Sequence, residues 1–130
     1  MEFENIEAFE YHHALLFATE FMKHFVNNEE LYKKKLKKKV YEGIMMKIPE
    51  VTLFIGKETL NLIQAVNDGK NQRQDKVDFQ LLGLVYCFAR IYIKGISLGD
   101  IDGEIDKKAL MVIPDIVKRG EKFDKLIKED

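Results

Sequence analysis

All three histidines of the chain lie within residues 12–24, among several glutamates. Four of these acidic and histidine residues fall on one side of a helical wheel: Glu10, His13, Glu20 and His24. Glu10 and His13 form the Glu-x-x-His pattern of di-iron bundles, but such a site needs a second copy of the motif, and no histidine follows His24. Glu10 and His24 are separated by about 21 Å of helix, so they cannot bind the same ion. We therefore expect no metal site and no cofactor, and only a site shared across a homodimer would support a metal-dependent oxidoreductase.

Two further stretches match catalytic or metal-binding motifs only in part. Residues 95–99 spell Gly-x-Ser-x-Gly, but a predicted helix precedes the serine where a nucleophile elbow requires a strand, and no histidine follows it. Residues 100–106 resemble the middle of an EF-hand loop, but Leu98 and Ala109 stand at the positions of its first and last ligands. We predict that the first stretch is a helix end and a turn without catalytic function. We predict that the second is a solvated acidic turn, with a weak, partly hydrated cation site as the alternative.

Cys87 is the only cysteine, so the chain has no internal disulfide and no cysteine-based zinc site. Its predicted place within a helix, beside large apolar residues, favours an inert buried thiol. Arg90 lies on the same predicted helix and, if buried, needs a carboxylate partner, for which Glu10 and Glu20 are the candidates. In the alternative interpretation, the strip that contains Arg90 faces solvent or a second subunit. Its members are Gly83, Cys87, Arg90 and Lys94.

A run of lysines is the most strongly charged stretch of the sequence. Its members are Lys33, Lys34, Lys35, Lys37, Lys38 and Lys39. On a single helix they would cover most of the circumference, so several must point to solvent, where they could bind phosphates, an acidic membrane surface or an acidic protein. The run contains no arginine for reading bases, and Tyr32 and Tyr41 are its only flanking aromatic residues. It could equally be a solvated face that balances residues 1–30, where seven glutamates stand against one lysine.

Apolar spacing predicts helices along most of the chain. Residues 77–96 are apolar on nearly every side and should lie at the centre of a bundle. Their uninterrupted apolar run, Leu81–Ala89, is too short to span a membrane, and Arg90 follows it. The other predicted helices are residues 3–26, 29–48 and 49–66, a short helix at 105–113 and a last helix that Pro114 begins.

These elements predict an all-α fold. We expect a single domain over residues 1–130, built as a bundle of four main helices with short extra helical turns. Residues 67–75 are polar and rich in turn-forming types, so they should form an exposed loop.

Composition and net charge limit the classes of function that the sequence favours. The 130 residues carry a net charge of −1, which gives no general attraction to nucleic acid or membrane. The acidic N-terminal segment lacks the apolar stretch of a signal peptide, and a single cysteine suits a reducing compartment, so we expect a cytoplasmic protein.

Because the catalytic motifs are incomplete, we expect a small, soluble, non-enzymatic protein that binds another protein in a regulatory, adaptor or inhibitory role. The segregated charge of the first two helices suits electrostatic docking. The alternative is a helical bundle that binds nucleic acid through the lysine run. A homo-oligomer is a further expectation, because Gly83 would let two helices approach closely.

Overall fold

The computed structural model describes residues 7–69, 78–95 and 107–126. Its regular elements are helices: α1 (Ala8–Asn27), α2 (Glu29–Lys35), α3 (Lys38–Asn67), α4 (Phe79–Gly95) and α5 (Lys107–Glu121), followed by a 3-10 turn (Asp124–Leu126). Four of the helices are long and pack together, while α2 is short, which confirms the predicted all-α bundle. Within the described ranges, no helix is long and apolar enough to cross a membrane.

Several predictions fall partly or wholly outside the described residues. The partial catalytic and EF-hand motifs lie there, apart from Gly95 at the end of α4. Of the loop predicted at 67–75, only Asn67, Asp68 and Gly69 are described; all of them are exposed, and Gly69 has a φ of 78° just after the end of α3. That left-handed conformation is one that glycine adopts without steric cost. The single-domain organisation stays a prediction.

α4 is the central helix, as the sequence predicts. Every residue from Leu82 to Ala89 is buried, since α1 and α5 both pack extensively against it. Asp78 caps its first turn, because its Oδ1 accepts hydrogen bonds from the backbone N–H groups of Gln80 and Leu81 at 3.0 and 3.2 Å. These donors have no acceptor within the helix, so the aspartate side chain stabilises the helix start.

The predicted boundary at Pro49 is wrong, because α3 runs without interruption from Lys38 to Asn67. Pro49 is exposed, while the turns before and after it bury Ile44 and Val51 completely. A proline inside a helix costs about 3 kcal/mol, since it cannot donate the intrahelical hydrogen bond. Burial of apolar side chains on both sides of Pro49 offsets that cost and keeps the helix continuous.

The helix break lies earlier in the chain, at Leu36 and Lys37. Both residues have extended backbones, with φ and ψ of −106° and 151° at Leu36 and −63° and 147° at Lys37. Leu36 is half-buried and packs against the core. The break anchors this apolar side chain and divides the lysine run between two helices, which reduces the repulsion that one continuous helix would impose.

α5 also continues through its proline, Pro114, so the predicted start of the last helix at that residue is wrong. Glycines bring the C-terminal segment close to α4. A Cβ atom at Gly120 would overlap the backbone oxygen of Tyr86, and one at Gly83 would overlap the ring of Phe123. The absence of side chains at these two positions therefore sets the distance between α4 and the C-terminal segment.

Candidate functional site

The lysine run forms an exposed feature around the break between α2 and α3, which we call the lysine corner. It consists of Lys33, Lys34, Lys35, Lys37, Lys38 and Lys39, all of them exposed. Lys33–Lys35 form the last turn of α2, where positive charge is favourable at a helix C-terminus. The others precede or begin α3. The expectation that one helix over 29–48 carries all six lysines is therefore wrong.

Most of the lysine corner is free to bind a partner. Lys33 lies 4.0 Å from Glu30, and Lys38 lies 3.9 Å from Glu42, and all of these side chains are at least half exposed. Such surface pairs contribute roughly 0–1 kcal/mol each and break easily. The remaining lysines of the corner form no ion pair with any residue that the structure describes.

The two tyrosines that flank the lysine corner are buried, with exposed fractions of 8% for Tyr32 and 9% for Tyr41. The Tyr32 hydroxyl lies 2.7 Å from His24 Nδ1, and burial raises the pKa of Tyr32. Tyr41 stacks on Phe25 with ring centroids 5.2 Å apart. Both rings anchor the corner to the core, so neither presents a face on which a nucleic-acid base could stack.

An exposed apolar side chain adjoins the lysines. Leu31 is 41% exposed and lies one helical turn before Lys34 and Lys35, on the same side of α2. The corner therefore combines positive charge with an exposed apolar side chain.

The glutamates and histidines that share one side of the first predicted helix are not brought together as a site. Glu10 is buried, whereas Glu20 lies on the surface, 3.5 Å from Lys23. His13 Nδ1 lies 3.0 Å from the backbone oxygen of Phe9, on its own helix. Among the described residues, no group of three or more histidine, cysteine, aspartate or glutamate side chains is placed to hold a metal ion.

Glu10 forms a buried ion pair, but its partner is Arg119. Arg119 Nε donates to Glu10 Oε2 at 2.9 Å, and the Tyr86 hydroxyl donates to the same oxygen at 2.7 Å. Burial, followed by the negative charge of Glu10, raises the pKa of Tyr86 well above its ordinary value. The tyrosine therefore keeps its proton at physiological pH and donates a hydrogen bond to Glu10.

A second buried carboxylate lies on α3. Glu58 is 2% exposed; it accepts a hydrogen bond from the Tyr11 hydroxyl at 2.7 Å and one from Asn61 Nδ2 at 3.1 Å. Glu58 was not among the predicted site residues, although a signal exists: it stands seven residues after Val51 and seven before Ala65, both of which are buried. A carboxylate in that series must be buried too, and it must find donors.

Arg90 pairs with Asp124, so the prediction of Glu10 or Glu20 as its partner is wrong. Asp124 follows α5 in the 3-10 turn, which lies against α4 and places the carboxylate beside Arg90 and 3.7 Å from Cys87 Sγ. Burial, only partly offset by the nearby Arg90, raises the pKa of Cys87 from 9.0 to about 12. The thiol is therefore protonated and unreactive near neutral pH.

Most of the polar strip of α4 is covered by the C-terminal segment, whereas its last member, Lys94, is exposed. Phe123 packs on Gly83, Asp124 contacts Cys87 and Arg90, and Lys94 Nζ lies 2.6 Å from Glu121 Oε1. The alternative that this strip faces solvent or a second subunit is therefore wrong for Gly83, Cys87 and Arg90, and only Lys94 is exposed. The C-terminal segment occupies that surface.

Fold and surface thus define a small helical bundle with an exposed basic corner and a core that contains two carboxylates. In comparisons with protein-family models, curated proteins and solved structures, nothing matches the chain. Only the surface and the core of the chain itself therefore bear on its function.

Proposed function

We propose that the protein acts by binding an acidic partner protein through the lysine corner, without catalysing a reaction. The observation that carries this proposal is the junction of α2 and α3, where exposed and mostly unpaired lysines adjoin the exposed Leu31 while the flanking tyrosines are buried. An acidic protein surface with an apolar residue complements that arrangement in both charge and hydrophobicity.

The buried polar groups support a binding role over catalysis. Glu10, Glu58 and Asp124 each accept hydrogen bonds from side chains of other residues, so these carboxylates stabilise the fold. Cys87 is buried and protonated near neutral pH. A free, buried thiol also suits the proposed cytoplasmic location, where thiols stay reduced.

Nucleic-acid binding is the second candidate, and it rests on the same lysines. It would have to act through phosphates alone, because the corner contains no arginine and its tyrosines are buried. Such binding would be independent of sequence and would weaken steeply with salt.

Fluorescence anisotropy with two labelled probes separates these candidates. One probe is a peptide of repeating Glu-Glu-Leu units, and the other is a single-stranded oligonucleotide of equal charge. We expect the peptide to bind more tightly at physiological salt, and Lys34→Glu combined with Lys38→Glu to weaken its binding at least about tenfold. Lys118→Glu combined with Lys125→Glu, on exposed positions at the C-terminal end, makes the same change in net charge and should leave binding unchanged.

Leu31→Ser distinguishes the two candidates further. It should weaken binding of the peptide and leave binding of the oligonucleotide unchanged, because only the peptide offers an apolar contact. Tighter binding of the oligonucleotide, with no effect of Leu31→Ser, would replace the protein partner with nucleic acid as the ligand of the corner.

A further inference from the structure

The outer face of α3 carries an exposed apolar stripe that none of the described residues covers, which we call the α3 seam. Its members are Met46, Pro49, Leu53, Gly56, Leu60 and Ile63. Met46, Leu53 and Leu60 are 74%, 77% and 69% exposed, and they recur at intervals of seven residues. The seam extends over about 26 Å of helix. Alternating steps of three and four residues are the pattern by which one helix packs against another in a coiled coil.

The seam is distinct from the face with which α3 packs against its own bundle. That inner face also repeats every seven residues, through Ile44, Val51, Glu58 and Ala65, and all of these are buried. α3 therefore carries two contact faces, of which the described residues use only the inner one. Exposed apolar stripes of this kind mark interaction surfaces.

Gly56 indicates close approach by another helix. A Cβ atom at Gly56 would meet nothing within 4 Å, so packing among the described residues gives no reason for a glycine there. Glycine inside a helix costs about 1 kcal/mol relative to alanine. In the middle of an outward seam, its lack of a side chain shortens the distance at which a second helix can pack.

From the charges beside the seam, we propose that its occupant is a second copy of this chain, packed antiparallel through α3. Glu50 and Lys57 flank the seam on one side, and both are exposed. Neither forms an ion pair with another described residue. If Leu53 of each copy lies opposite Gly56 of the other, Glu50 of each copy lies opposite Lys57 of the other. The two-fold axis of the dimer therefore generates two equivalent ion pairs, each between Glu50 of one copy and Lys57 of the other.

The same register pairs every apolar residue of the seam with another seam residue. Met46 lies opposite Ile63, and Pro49 lies opposite Leu60. Ile63 also lines an apolar groove of about 380 Å³ between α1 and α3, into which the flexible side chain of Met46 from the second copy can extend.

Other registers lose these pairings. A shift of one heptad in one direction places Glu50 opposite Glu50 and sets Leu60 against Glu42. A shift in the other direction places Lys57 opposite Lys57. In a parallel pairing Lys57 faces Thr52 and no ion pair forms across the seam. Charge and apolar matching therefore select the same antiparallel register.

This proposal does not rest on the acidic partner, because the seam begins at Met46, beyond the last lysine of the corner. The two surfaces can be tested separately. Lys34→Glu with Lys38→Glu should leave self-association unchanged, and a variant of the seam should leave binding of the acidic peptide unchanged.

Sedimentation equilibrium of the full chain tests the seam. We expect a dimer for the wild type, and for Glu50→Lys and for Lys57→Glu, each alone, a dissociation constant about tenfold higher or more, because each change places like charges opposite one another. An equimolar mixture of the two variants should regain the dimer, since opposite charges then face each other in the mixed pair. Lys118→Glu, exposed on α5, is the matched control and should dimerise like the wild type.

Leu53→Glu gives an independent result. Leu53 is 77% exposed in the single chain, so the variant should keep its helical circular dichroism and sediment as a monomer. A monomeric wild type would overturn the proposal. So would a mixture of Glu50→Lys and Lys57→Glu that associates no better than either variant alone, or a Leu53→Glu chain that still dimerises.

Discussion

Glu10 and Arg119 form an ion pair between the first and last described helices, with Arg119 Nε 2.9 Å from Glu10 Oε2. The next residue of α1, Tyr11, donates to Glu58 on α3. Two consecutive residues of α1 thus connect to different helices, Glu10 to α5 and Tyr11 to α3. Tyr86 of α4 also donates a hydrogen bond to Glu10. This polar network fixes the relative positions of four helices, since each buried group needs its own partner.

Removing the charge of Glu10 should destabilise the protein. Glu10→Gln removes the ion pair with Arg119 and weakens the hydrogen bond from Tyr86, so we expect the free energy of unfolding to fall by about 2 kcal/mol. Urea denaturation measures the change. Glu20→Gln, which removes only an exposed pair with Lys23, is the control and should cost less than about 1 kcal/mol. Equal effects of the two changes would contradict a structural role for Glu10.

Gly120→Ala should destabilise the packing of α5 on α4. The new methyl group would overlap the backbone oxygen of Tyr86 and lie 2.7 Å from Arg90 Cβ, so the helices must move apart at a cost of about 1–3 kcal/mol. Gly56→Ala is the matched control, because open space surrounds that position. It should stabilise the chain by about 0.5–1 kcal/mol through helix propensity.

Thermal unfolding at low protein concentration compares the two glycine variants without a contribution from self-association. We expect the melting temperature to fall for Gly120→Ala and to rise for Gly56→Ala. A higher melting temperature for both variants would show that α4 and α5 do not pack closely at Gly120.

Stability should decrease at alkaline pH because of Cys87. Its pKa is 9.0 in an unfolded chain and about 12 in the native protein, so from about pH 9 the native state retains a proton that the unfolded state has lost. The free energy of unfolding then falls as pH rises, by up to about 1.4 kcal/mol per pH unit. Below about pH 9 the thiol is protonated in both states and contributes no pH dependence.

Urea denaturation at a series of pH values measures this slope. Cys87→Ala should remove the part of the pH dependence that begins near pH 9. It should leave the part that is due to Tyr86, whose ordinary pKa is 10.0 and whose native pKa is raised. The same slope in the wild type and in Cys87→Ala would contradict the burial of the thiol. So would rapid reaction of the native protein with a thiol reagent at neutral pH.

The fold class and the central helix were predictable because they depend on apolar spacing alone. Residues 82–89 are apolar or small without interruption, and only the middle of a bundle buries such a helix on all sides. The boundaries near prolines were not predictable from local preference. At Pro49 the burial of Ile44 and Val51 decides the outcome, and burial is a property of the whole fold.

The partners of the buried charged residues could not be predicted from the sequence either. Arg90 could be expected to need a carboxylate, but the choice of Asp124 depends on how the turn after α5 lies against α4. Glu10 was expected to pair with a cation, and which cation depends on the same docking of α5. Exposure of the lysines could be expected from their number, whereas the break at Leu36 depends on the core that this leucine contacts.

The most direct test of the proposed function is a competition experiment on the lysine corner. The labelled Glu-Glu-Leu peptide is bound to the wild-type protein at physiological salt, and unlabelled peptide or an oligonucleotide of equal charge is then added. We predict that the peptide displaces the probe at a concentration at least about tenfold lower than the oligonucleotide does, because only the peptide contacts Leu31. Displacement by the oligonucleotide at an equal or lower concentration, or a probe that never binds, would contradict an acidic protein as the partner of the corner.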